Sequence, residues 1–145
     1  MEELKNLHHW DVLAVSCIDG RFVKRTIDWV SAKTSLRLRS GSSNGVFDFR
    51  TEVGSSKAII DSAEDRERLF ALIDTSLRLH SIEEVWLIDH IDCGAYGGSK
   101  EHSDAEVEKE FHLEKLGEAA KIVNEKYPGL IVKKIYVDWD EIEEI

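Results

Sequence analysis

Two stretches of this chain run almost wholly apolar, and both break into polar chemistry at their ends. Residues 11–19, Asp-Val-Leu-Ala-Val-Ser-Cys-Ile-Asp, and the Val85–Ile88 run that leads into Asp-His-Ile-Asp-Cys-Gly94 lack the alternation of a half-exposed strand. Short continuous apolar runs of this kind predict strands buried on both faces of a parallel sheet. Leu130–Val137, which contains Lys133 and Lys134, reads as another strand. Between them the spacing is helical. Phe22–Lys33 places Phe22, Ile27, Trp29 and Val30 as core contacts. Asp61 or Ser62 caps a second helix whose buried stripe is Leu69, Phe70, Leu72, Ile73 and Leu77. Ser103-Asp-Ala-Glu106 reads as a capping box before a long helix with Leu113, Leu116, Ala120 and Val123 on one face, ended by Pro128-Gly129. Residues 35–39 and 46–50 alternate with period two, and the Asn44-Gly45 pair between them is a hairpin signal. Residues 1–10 form a short helix or arm, and 138–145 an acidic tail.

Strands alternating with helices of ten residues or more define an α/β fold: a mainly parallel central sheet of about four strands flanked by helices. With 145 residues and no internal repeat or linker, residues 1–145 are expected to make one domain.

Charge narrows the partners. The formal net charge of −10 argues against nucleic acid and anionic membrane surfaces. Lys24-Arg25 and Arg37/Arg39 are the nearest approach to basic clusters and read as solvated faces. No apolar run approaches the roughly 20 residues of a membrane span, and Met1-Glu-Glu-Leu-Lys-Asn6 lacks the features of a signal peptide. A cytoplasmic location, or a protein whose leader has been removed, is expected. Two cysteines are too few for a disulfide framework, and in a reducing compartment they point to metal rather than a bridge.

In a doubly wound sheet, ligands bind beyond the carboxyl ends of neighbouring strands where the winding reverses. If the first and third main strands are neighbours, Cys17 meets His90 and Cys93 there. Two thiolates and an imidazole suit zinc, and three protein ligands leave a fourth position for water, as a catalytic zinc requires. Asp19 and Arg21 form a candidate ion pair beside it. An aspartate fixed by arginine stays ionised and can accept a hydrogen bond from the zinc water. Alone, Cys17 would read as a small buried apolar residue, and Asp19/Arg21 as a structural ion pair. The five together change that reading.

Cys17-Ile-Asp-Gly-Arg21 and His90-Ile-Asp-Cys-Gly94 match the C-x-D-x-R and H-x-x-C-G motifs, so the chain, over roughly residues 11–137, resembles the β-class carbonic anhydrases. The resemblance implies Cys17, His90 and Cys93 as zinc ligands, Asp19 and Arg21 as the catalytic dyad, and zinc-bound hydroxide attacking carbon dioxide to give bicarbonate. It also implies a homodimer or higher homo-oligomer with pockets near subunit interfaces. Ile18 and Gly20 depart from the small or hydroxyl residues usual in the first motif, and Arg50-Thr-Glu-Val-Gly54 is a degenerate counterpart of the family's R-N-A-G-N segment. The chain is short for the family.

Gly94 and Tyr96 are candidates for the substrate pocket; Tyr96 serves equally as an interface residue. His102 is a candidate proton relay, while His8, His9, His80 and His112 have no evident partners. Asp89 and Asp92 are expected to cap turns or bind backbone amides, and Gly94, Gly97 and Gly98 to form the tight turn. Trp10, Trp29, Trp86 and Trp139 are expected in core or interface packing. Two other functions use the same residues: hydrolysis of carbonyl sulfide or carbon disulfide, and a noncatalytic zinc-stabilised binding domain.

Overall fold

The computed structural model describes residues 2–35 and 45–145. Its elements run α1 (Glu2–Lys5), β1 (Val12–Cys17), α2 (Gly20–Ser35), β2 (Asp48–Glu52), α3 (Ser56–Asp61), α4 (Ala63–His80), β3 (Glu84–His90), two 3-10 turns at Gly94–Tyr96 and Ser99–Glu101, α5 (Ala105–Lys126), β4 (Ile131–Val137) and β5 (Ile142–Glu144). The strands form one sheet in the order β2-β1-β3-β4-β5. The first four are parallel to one another, and β5 pairs antiparallel with β4. The acidic C-terminal segment therefore ends as a fifth strand, not as a tail. Residue 137 is followed by a tight turn in which Asp138 Oδ1 accepts from the backbone N–H groups of Asp140 and Glu141, and this folds the chain back on β4.

Every residue of β1 and β3 is buried, as their unbroken apolar runs predict. The alternation lies between the two faces. Leu13, Val15, Val85 and Leu87 point to the side covered by α3, α4 and α5, where Ile59, Leu69, Ile73, Leu116 and Val123 meet them. Val12, Ala14, Trp86 and Ile88 point to the other side, against Phe22 and Val30 of α2. Leu113 touches both clusters. Along α2 the buried stripe is Phe22, Thr26, Val30 and Thr34, a four-residue ridge. Ile27 and Trp29, expected in the core, flank it half-buried, and Trp29 meets Trp86 edge-on.

The helix starts are chemically specified. Ser62 caps α4 by accepting from the Asp65 N–H. For α5 the cap is Asp104, which accepts from the Val107 N–H; the cap falls one residue after the Ser103 expected, and with Val107 three residues on no reciprocal capping box forms. Asp104 caps as well as serine and adds a negative charge that the helix N-terminus favours. The strand expected over 35–39 lies outside the described residues apart from Ser35, which closes α2, and of the Asn44-Gly45 turn only Gly45 is described, at φ 78. β2 pairs in parallel with β1, Leu13 opposite Asp48 through Cys17 opposite Glu52. That register brings the 52–56 turn next to the end of β1.

Candidate metal centre

β1 and β3 are direct neighbours, and the chain turns outward to β2 after the one and to β4 after the other. The winding reverses between them. Cys17 ends β1, His90 ends β3, and Cys93 follows on the turn. The ligand atoms of these three lie within 4.8 Å of one another, and all three side chains are buried.

The imidazole is oriented for coordination. His90 Nδ1 is 2.7 Å from the Ile91 carbonyl oxygen, so Nδ1 carries the proton and Nε2 keeps its lone pair. Nε2 is buried and makes no hydrogen bond. An unsatisfied buried polar atom is costly, and here it belongs to a group with two sulfur atoms. The Phe22 ring stacks on the imidazole at 4.4 Å and fixes its plane. A nitrogen lone pair and two sulfur donors are the set that zinc prefers, and the residues fit that ion.

The two thiols are not equivalent. Cys17 is pushed well below the usual thiol range, chiefly by the hydrogen bond with Cys93, with the backbone N–H groups of Asp19 and Gly54 adding to it. Cys93 is pushed up by the same sulfur–sulfur contact and by burial. One proton is therefore shared between the two sulfurs. A cation replaces that proton when it binds.

Asp19 and Arg21 are joined as the sequence predicts. Arg21 Nη2 donates to Asp19 Oδ2 at 2.6 Å, and Nε lies 3.1 Å from both carboxylate oxygens. The Arg21 N–H also donates to Oδ1 at 3.0 Å. The guanidinium holds Asp19 down to about 2. Oδ2 stands 4.0 Å from His90 Nε2, so an ionised acceptor lies at the edge of the three donors. The C-terminal turn covers this pair: the Trp139 ring lies 5.4 Å from the Arg21 guanidinium carbon and 5.1 Å from the Phe22 ring. Arg25 reaches the Asp138 and Trp139 carbonyls and holds the turn in place.

Three features were not legible as site residues in the sequence. Gly54, in the segment taken as a degenerate R-N-A-G-N, adopts φ +73, and a Cβ there would lie 2.9 Å from the Ala95 and Lys57 Cβ atoms. Only glycine carries its amide to Cys17 without strain. Asp89, next to His90, accepts from the Ser56 N–H at 3.1 Å and hydroxyl at 2.6 Å and contacts His112 Nδ1 at 3.0 Å. This answers the expectation that Asp89 binds backbone amides, and it gives His112 a partner. Asp92 accepts from the Ser99 N–H at 2.9 Å, as expected of a turn residue, but also from Arg21 Nη1 at 2.9 Å.

Gly94 opens the first 3-10 turn, directly after Cys93. The Tyr96 hydroxyl is 2.8 Å from Ser56 Oγ, and its ring packs edge-on against Phe111 and His112. His102 lies against Phe111. His80 stacks on Trp10 and bonds Asp48 at 2.8 Å. No helix among the described residues is long and apolar enough to cross a membrane.

The architecture is that of the β-carbonic anhydrases. A tetrameric β-carbonic anhydrase of Sordaria macrospora superposes with a TM-score of 0.61 at 17% identity, over 99% of this chain and 84% of that one. The β-carbonic anhydrase CafA of Aspergillus fumigatus gives 0.53 at 17%, over 99% and 80%. At sequence level, a protein of Rickettsia bellii described as uncharacterized is 30% identical over 99% of this chain and 85% of its own length. One from Rickettsia conorii, also uncharacterized, is 28% identical over 99% and 75%. The family model described as "Putative carbonic anhydrase" matches residues 8–145, and the chain belongs to that family.

Proposed function

We propose that this protein is a zinc lyase that reversibly hydrates carbon dioxide to bicarbonate, with residues 1–145 acting as one zinc domain. Cys17, His90 and Cys93 would hold the ion. Bound there, zinc supplies the Lewis acidity that makes water a nucleophile near neutral pH. The observation that carries the reading is the placement of Asp19: ionised, gripped by Arg21, and 4.0 Å from the unpartnered His90 nitrogen. A purely structural site has no use for a fixed acceptor beside three donors.

Within this reading the chain's own residues divide the work. Asp19 accepts a hydrogen bond from the attacking water and sets its direction. Arg21 keeps Asp19 ionised and keeps it from turning toward the donors. Phe22 fixes the His90 ring, and Gly54 donates its amide to the Cys17 sulfur. Gly94 and Tyr96 are proposed to bound the substrate pocket, and His102 to pass protons to buffer. Both cysteines are free thiols, which suits a cytoplasmic protein. Ile18, Val53 and Trp139 are each more than half exposed, and each adjoins a site residue. Together with the tetrameric relative they support a homodimer or higher homo-oligomer.

Stopped-flow hydration with zinc-loaded protein, with metal content measured on the same sample, tests the proposal. Activity that Asp19→Ala lowers while zinc stays bound is expected. No rate above buffer between pH 7 and 9 overturns it, and stoichiometric zinc without hydration would instead favour a zinc-stabilised binding domain. A second reading, hydrolysis of carbonyl sulfide or carbon disulfide, draws support from the exposed apolar Ile18 beside Cys17. Sulfide release on incubation separates it from the first.

A further inference from the structure

Arg21 is held from two sides, and only one of them is Asp19. Its Nη1 donates to Asp92 Oδ2 at 2.9 Å, and Nη2 donates to the Asp92 carbonyl at 3.1 Å. Asp92 can present both groups because its backbone is left-handed, with φ 56, a conformation that few residues other than glycine adopt. What holds it there comes from α5. The Asp92 N–H donates to Glu108 Oε1 at 2.7 Å. Glu108 Oε2 accepts from the Ser99 hydroxyl at 2.6 Å, and the Ser99 N–H donates to Asp92 Oδ1 at 2.9 Å.

Glu108 is 1% exposed, on a helix face that also buries His112, Leu116, Ala119, Ala120 and Val123. A carboxylate in such a place is costly unless its oxygens are satisfied. Both of its oxygens are used on the 92–99 loop, and His112 Nε2 is 4.0 Å from Oε1. Glu108 is not one of the metal-capable donors, and no role at the site has so far fallen to it.

We propose that Glu108 is a positioning residue for the Asp19/Arg21 dyad. It fixes the left-handed Asp92, Asp92 fixes the Arg21 fork with its carboxylate and its carbonyl, and the fork fixes the Asp19 oxygens. Two carboxylates thus flank one guanidinium, and a third, Glu108, stands behind Asp92, three links from Asp19. The inference rests on the reading of Asp19 and Arg21 as the catalytic dyad.

A double-mutant cycle with two further readouts tests it. Glu108→Gln keeps the size of the side chain but replaces one acceptor oxygen by a donor. The variant is expected to keep one zinc per chain, to lose about 10–100-fold in kcat, and to change KM little. In an Arg21→Ala background the same substitution is expected to change kcat less than about twofold, because coupled residues are not additive. In zinc-free protein the Arg21 Nε–H resonance, identified by its loss in Arg21→Lys, is expected to shift and broaden in Glu108→Gln. An equal loss in both backgrounds, no loss in either, or an unmoved Arg21 resonance overturns the proposal.

If Glu108→Gln does not fold, Ser99→Ala, which removes only the hydroxyl on Oε2, is read by the same criteria with a smaller loss. If the wild-type protein hydrates no carbon dioxide, the dyad reading fails by itself. The Arg21 resonance then decides the positioning role alone, and its constancy in Glu108→Gln overturns that role too.

Discussion

Asp19 does two jobs with one carboxylate. It stands immediately before α2, where Oδ1 accepts from the Arg21 N–H and its carbonyl accepts from Phe22 and Val23, and it turns Oδ2 toward His90. Arg21 holds it down to about 2, against roughly 3.9 for a free aspartate. Because the folded value is the lower, the ion pair's contribution to stability is complete above about pH 4 and is lost as pH falls through 2. In zinc-free protein, Asp19→Asn is therefore expected to lower the urea midpoint above pH 5, and the gap to wild type should close between about pH 4 and 2. A gap that is constant across that range would mean the ion pair contributes nothing. The local motif was legible because Asp19 and Arg21 are two residues apart and any helix start brings them together. Asp92 as Arg21's second acceptor was not legible: 71 residues separate them, and the contact depends on one left-handed backbone angle.

At the scale of elements, the site is a meeting of strand ends held by the turns around them. The 52–56 turn after β2 brings the Gly54 amide to Cys17 only because Gly54 sits at φ +73 with Ala95 and Lys57 pressed against the space a Cβ would need. Gly54→Ala is expected to cost about 1–2 kcal/mol in backbone strain and to weaken zinc binding about tenfold or more. Urea denaturation and competition with a chromophoric chelator measure the two effects separately. The β4–β5 turn works from the other side by laying Trp139 over Arg21. Trp139→Ala removes a cation–π contact of about 0.5–1 kcal/mol at an exposed site, so kcat/KM is expected to fall about two- to fivefold with zinc content unchanged. The acidic composition of 138–145 gave no sign of this strand. Its pairing is created by β4, whose outer edge it covers with Ile142 opposite Val137 and Glu144 opposite Ile135.

For the molecule as a whole, the three donors come from two segments 73 residues apart, so a metal ion bound to the fold ties both halves of the sheet. Zinc at a free concentration 100 times its Kd is expected to stabilise the fold by about 2.7 kcal/mol, roughly 5–10 °C in melting temperature for a chain of this length. The increment should shrink as pH falls, because zinc must displace the proton that the two neighbouring sulfurs share in their buried site. Thermal melts with zinc and with excess chelator at pH 6 and pH 8 measure this directly, and an equal increment at both would argue against thiolate ligation. Sedimentation velocity on the same samples reads the oligomeric state.

The sequence by itself determined the parallel α/β sheet, because strands buried on both faces must be continuously apolar and their helical connections must bury one stripe. It also determined the local chemistry of Cys17-Ile-Asp-Gly-Arg21 and His90-Ile-Asp-Cys-Gly94, whose members are close enough in the chain to act together in any fold. Tertiary structure decided what depends on long-range register. It placed β1 beside β3, so that Cys17 meets His90 and Cys93, and it put a buried glutamate of α5 under Asp92 and the C-terminal strand over Arg21. Those contacts hang on single backbone angles and on packing across the sheet, for which the order of residues carries no periodic signal.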